Sequence, residues 1–233
     1  MIPLRDDTPR FSTPYITYFI IALNSLIFVY EAMLGFQSPR ALNALVFEFG
    51  VVPTNIKAVL TGGTDLSPTV ALVPILTSMF LHGSLGHVAG NMLFLWIFGD
   101  NIEDYLGHFK YLLFYLVGGV TAAVVHILFN PSSMVPTVGA SGAIAAVMGA
   151  YLILYPRGRV LIWFPIFFFF YLPAWLMLGY WFVVQFLSGA AMSIAPTTQT
   201  GGGIAVWAHV GGFVAGVVMI KLIPPRPRRF SRG

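Results

Sequence analysis

The chain has 233 residues, of which 58% are hydrophobic and only 9% charged. A water-soluble domain carries roughly 25% charged and 45–50% apolar residues, so a soluble single domain is excluded and a chain solvated largely by lipid fits. Cysteine is absent, which excludes disulfides, thiolate nucleophiles and thiolate metal sites, and the net charge of +4 gathers at the chain ends and one short loop, unlike a nucleic-acid surface.

Six apolar stretches follow in chain order: Tyr15–Met33, Gly83–Gly99, Phe109–Phe129, Ser141–Tyr155, Val160–Leu187 and Ile204–Ile223. Each approaches the ~20 residues that cross a bilayer as a helix, which predicts an all-α polytopic bundle of six transmembrane helices. The organisation reads as an N-terminal segment over 1–14, a membrane domain over 15–223 and a basic tail over 224–233. The opening Met-Ile-Pro-Leu-Arg-Asp-Asp has no apolar core before a small-residue cleavage site, so no removable signal peptide is expected.

With six spans both termini share one side. That side carries Arg5, Arg10, Lys110, Arg157, Arg159, Lys221, Arg226, Arg228, Arg229 and Arg232, and only Arg40 and Lys57 lie opposite. The asymmetry predicts cytoplasmic termini and, without a transit-peptide-like start, a prokaryotic plasma membrane. The long connection Leu34–His82 is apolar enough to lie along the outer leaflet, and Ser188–Gly203 is uncharged and rich in small residues, as a cap over a cavity would be.

Polar side chains are costly inside hydrocarbon, so those within the spans carry the functional reading. His87 and Asn91 are four residues apart on one face of the second span, Ser141 opens the fourth between Gly139 and Gly142, and His209 lies in the sixth. These three spans enter from the same side, so the four residues share a shallow depth. Ser141, Ala145 and Gly149 form a small-residue stripe, as do Ala205, His209, Gly212 and Gly216. Such faces let two backbones approach and can bring His209 within reach of Ser141, a base beside a nucleophile. Asn91 and His87 can then donate to an oxyanion.

Carried by His87-x-x-x-Asn91, Gly139-x-Ser141-Gly142 and Ala208-His209-x-x-Gly212-x-x-x-Gly216, the whole chain resembles bacterial or archaeal rhomboids, the family of intramembrane serine proteases. The resemblance implies the basic six-helix form, Ser141 as nucleophile, His209 as general base, and an oxyanion hole lined by His87, Asn91 and the Ser141 backbone. His82 matches another frequent histidine of the family, lining the substrate cavity or serving structure together with Gly139 and Gly142. Implied partners are single-span transmembrane substrates and the bilayer, with no nucleic acid and no cofactor. The Trp-Arg pair that well-known enterobacterial members carry is missing from Val73–Thr77, and Ala145 stands where some members place a tyrosine under the catalytic histidine. Two other readings compete: a non-catalytic rhomboid-like protein that binds membrane helices, and a histidine-ligated cytochrome or metal transporter. His126 reads as a structural histidine, His108 as solvated, and Asp100, Glu103 and Asp104 as a helix-start charge cluster. Phe167–Phe170, with Trp163 and Trp175, reads as lipid-facing.

Overall fold

The computed structural model describes residues 2–164, 168–194 and 205–227. Strand β1 (Ile2–Asp6) precedes helix α1 (Tyr15–Gln37). Four short helices fill the long connection: α2 (Pro39–Phe49), α3 (Pro53–Leu60), α4 (Pro68–Leu72) and α5 (Pro74–Thr77), followed by a 3-10 turn at Ser78–Phe80. Each short helix starts on proline, whose fixed φ and missing N–H suit the first helical position. Then come α6 (Leu85–Leu106), α7 (His108–Phe129), α8 (Ser141–Leu154), β2 (Arg159–Phe164), β3 (Phe168–Pro173), α9 (Ala174–Ile194) and α10 (Val206–Leu222).

The all-α expectation needs correction, because β1, β2 and β3 form an antiparallel sheet in that order. Residues 160–164 and 168–173 were expected to begin the fifth span, but β2 and β3 pair antiparallel, with Arg159 opposite Pro173 and Phe164 opposite Phe168. The β-branched and aromatic run favours strand, and α9 starts only at Ala174. The N-terminal segment belongs to the same fold: the Tyr151 hydroxyl donates to Asp6 at 2.5 Å and accepts from Thr8 at 2.5 Å. The Arg159 backbone N–H, and after it the guanidinium, hold the Asp7 carboxyl below its usual range.

Among the described residues α1, α7 and α9 are long and apolar enough to cross a membrane, and a fourth crossing arises if residues 68–80 and α6, bent by 74°, count as one. α8 and α10 are apolar but shorter. At the centre α8 buries every residue from Gly142 to Tyr151. It does so because α10 lies against it backbone to backbone. A Cβ at Gly212 would overlap the Gly142 carbonyl, one at Gly216 the Ala146 carbonyl, and one at Gly149 the Phe213 carbonyl.

The end of α6 is tied to the start of α1 by buried charge. Glu103 accepts from the backbone N–H of Ile16 at 2.9 Å and Thr17 at 2.8 Å, and from the Thr17 hydroxyl at 2.7 Å. A carboxylate there satisfies orphan donors of the first turn of α1 and favours its dipole. The acidic run therefore ends one helix and caps another. His108, expected to be merely solvated, meets the same carboxylate at 2.5 Å. Gly107 turns the chain between α6 and α7 at φ +80°, a conformation glycine adopts without strain.

The basic tail begins docked on the bundle: Arg226 donates its backbone N–H to Tyr105 at 2.9 Å and its guanidinium to Asp104 at 2.8 Å. Arg228, Arg229 and Arg232 lie outside the described residues, as do Phe167 and 195–203 of the expected cap.

Replacing Gly216 by valine forces α8 and α10 apart. An overpacked interior of this kind loses about 2 kcal/mol or more, read as a drop of several degrees in thermal unfolding in detergent. Val218→Ala, on the half-exposed face of the same helix, leaves the transition nearly unchanged.

Candidate active site

Ser141 is the first residue of α8, so the amides of its opening turn have no intrahelical acceptor and point out of the helix end. The backbone contact that packs α10 against this turn brings His209 over it. Nε2 of His209 lies 2.7 Å from Ser141 Oγ, a hydrogen-bond distance between nucleophile and base. His209 is buried and Ser141 half-buried.

The opposite wall comes from α6. Ser84 caps that helix by accepting from the His87 N–H at 3.2 Å, which sets the turn from which His87 and Asn91 project. Asn91 is buried, and its Nδ2 donor has no hydrogen-bond partner among the described residues. Such a group costs free energy unless something arrives to accept from it. Gly139, at φ +130°, lies between the two walls: a Cβ there would sit 2.7 Å from the His87 ring and 3.7 Å from Asn91 Nδ2. Glycine is thus required for backbone and space alike. The four residues expected to converge do so, and Gly142 lies beside them, its would-be Cβ against Ala122.

His82 is held through its backbone, and its two ring nitrogens have no hydrogen-bond partner among the described residues. Its backbone N–H donates to the buried Glu31 carboxylate at 3.0 Å, and its ring stands edge-on to His87 with centroids 5.0 Å apart. His126 accepts or donates at Thr137 Oγ1 over 3.0 Å and faces a cavity of about 30 Å³. Ser78, Gly139, Ser141 and Gly142 share that cavity, which has room for one or two water molecules.

Other contacts stand at the two places where the chain departs from some members of the family. Without a tyrosine at Ala145, the His209 ring is backed by Trp181 from α9, centroids 5.6 Å apart. Without the Trp-Arg pair, the long connection is pinned by a bridge between Val51 and Thr137 with N–H···O distances of 3.0 and 2.8 Å, and by Thr77 donating to Phe49 at 2.9 Å. Sequence reasoning passed over Glu31, Trp181 and Gln185, whose Oε1 lies 2.8 Å from His209 Nδ1. With both its ring nitrogens engaged by the protein, His209 offers none to a haem or metal.

The Rhomboid domain family model matches residues 70–226, a range that holds Ser141, His209, His87, Asn91 and Gln185. The chain belongs to the rhomboid family. It is 33% identical over 186 residues to the mouse presenilin-associated rhomboid-like protein, mitochondrial, covering 76% of this chain and 45% of that one. To the rhomboid protease GluP of Bacillus subtilis it is 31% identical over 142 residues, 60% of this chain and 24% of the relative. Yeast rhomboid protein 1, mitochondrial, is 29% identical over 151 residues, 63% and 40% of the two chains. The chain thus spans less than half the length of these relatives. Two of the three are mitochondrial by name, which overturns the expectation of a prokaryotic plasma membrane and cytoplasmic termini. Apolar composition answers to hydrocarbon thickness and is blind to which membrane supplies it.

Alanine at Gly139 must adopt a strained backbone and push His87 aside, at a cost of order 1–3 kcal/mol. Gly139→Ala is expected to unfold several degrees below the native chain in a thermal melt, whereas Gly86→Ala, with open space around it, is not.

Proposed function

We propose that this rhomboid is an intramembrane serine endopeptidase that cleaves single-span membrane proteins near the membrane face poor in basic residues. The observation that carries the reading is the 2.7 Å contact between Ser141 Oγ and His209 Nε2. The protease name of the Bacillus relative supports it, and the mitochondrial names of the others favour a mitochondrial membrane. α1 and α6 to α10 are taken as six crossings, with α8 and α10 shielded enough by neighbours to be short.

In the proposed reaction Ser141 Oγ bonds to the substrate carbonyl carbon while its proton passes to His209 Nε2. The oxyanion accepts from the Ser141 N–H, Asn91 Nδ2 and His87. His209 returns the proton to the amide nitrogen, the C–N bond breaks, and an acyl-enzyme remains. Water from the cavity lined by Ser141 and His126 then attacks the ester, again with His209 as base, and frees the serine. A regular helix hides its carbonyls in its own hydrogen bonds, so substrates must carry helix breakers near the scissile bond.

Labelling by a fluorophosphonate tests the first step without a known substrate. The native chain is expected to label, and Ser141→Ala and His209→Ala are not. Absence of labelling in well-folded native protein in lipid would favour the non-catalytic, helix-binding reading. Asn91→Ala is expected to slow turnover about 10²–10³-fold while leaving the fold intact. Replacing a substrate's breaker region by uninterrupted leucine helix should slow cleavage, and unchanged rates would count against the proposed unfolding of the scissile segment.

A further inference from the structure

His209 is held on both sides, and the two contacts are not independent. An amide oxygen can only accept, so a bond from His209 to Gln185 Oε1, at 2.8 Å, requires the proton on Nδ1. Nε2 is then left with its lone pair toward Ser141 Oγ at 2.7 Å, the state a general base needs. The other tautomer would aim a proton at the serine and could not take one from it.

Gln185 reaches the ring because of where it lies on α9. Trp181, Gln185, Gly189 and Ser193 follow at four-residue spacing and share one helix face. All four meet α10: Trp181 lies against His209 and Phe213 with centroids 5.6 and 6.0 Å apart, and a Cβ at Gly189 would stand 3.0 Å from the Trp207 ring. Ser193 accepts from Trp207 Nε1 at 3.2 Å. An amide is costly in so apolar a helix unless it is paired, and the imidazole is its partner.

We propose that Gln185 is a positioning residue that fixes His209 as the Nδ1–H tautomer, supplying from α9 the third group that the Ser141–His209 pair otherwise lacks. The catalytic meaning of this assignment rests on the protease reading above; the tautomer itself does not. Because the acceptor comes from a different helix, the base is set only while α9 is seated against α10. Displacing α9 sideways withdraws the oxygen and releases the ring.

The test is ¹⁵N NMR of histidine-labelled protein in lipid nanodiscs, with the His209 signals identified by their loss in His209→Ala. The native chain is expected to show a protonated Nδ1 and an unprotonated Nε2. Gln185→Met keeps the bulk and removes the oxygen acceptor, so the tautomers should mix and fluorophosphonate labelling should slow about tenfold, the worth of one such hydrogen bond. Gln185→Glu retains an acceptor and should restore both the tautomer and most of the rate. A purely structural glutamine would instead lower the unfolding temperature in Met and leave the tautomer alone. A native His209 with its proton on Nε2 overturns the proposal with no variant needed, and so does native-rate labelling of Gln185→Met. If the tautomer depends on Gln185 while the native chain never labels, the protease reading fails and the assignment of Gln185 stands.

Discussion

The contact between α8 and α10 is made by backbone, and the site depends on that. Where Gly212 meets the Gly142 carbonyl and Gly216 that of Ala146, no side chain separates the helices. Lipid gives no hydrophobic reward for bringing apolar helices together, so close van der Waals contact must supply the association. It also removes rotamer freedom from the spacing. The distance from His209 to Ser141 follows from two backbones in contact and one imidazole, a far stiffer arrangement than two long side chains reaching across a gap.

A second constraint is charge buried where it satisfies backbone. Glu103 ties α6 to the first turn of α1, and Glu31, near the other end of α1, holds the His82 N–H at the entrance to α6. Both carboxylates are almost fully buried. α1 is thus fastened to α6 at either end by acceptors that would be expensive to leave unpaired. Its long middle offers Phe19, Leu26 and Val29 to the surroundings. The entrance to α6 bearing His87 and Asn91 is therefore supported by α1, outside the region of densest packing.

Ser141, His209, His87 and Asn91 were legible in the sequence because each is a polar side chain in an apolar run and because three helix starts fall on one side. The glycine stripes announced the close approach of α8 and α10. The pairing of β2 with β3 was not legible, since an unbroken apolar and aromatic run satisfies a buried strand as well as a spanning helix, and its proximity to the apolar start of α9 joined the two into one stretch. Gln185 and Glu31 carried the same signal as the histidines, a polar group at membrane depth, but no spacing linked either to a partner. Their meaning depends on which helices are neighbours, and that is a property of the packing. The surroundings of His209 show the same: where Ala145 of α8 offers no ring, Trp181 of α9 stands against the imidazole.

α8 has 14 residues, about 21 Å at 1.5 Å per residue, against a hydrocarbon layer of ~30 Å. A lipid-facing helix of that length would have to thin the bilayer or drag its ends inward. α8 meets neither demand, because Gly142 to Tyr151 are covered by other helices and do not sense the acyl chains. Hydrophobic mismatch is borne instead by helices with exposed apolar faces, among them α1, α7, α9 and the Val214–Val218 side of α10. Changes in membrane thickness therefore act on the periphery of the molecule and reach His209 through α9 and α10, while Ser141 opens a helix that does not feel them.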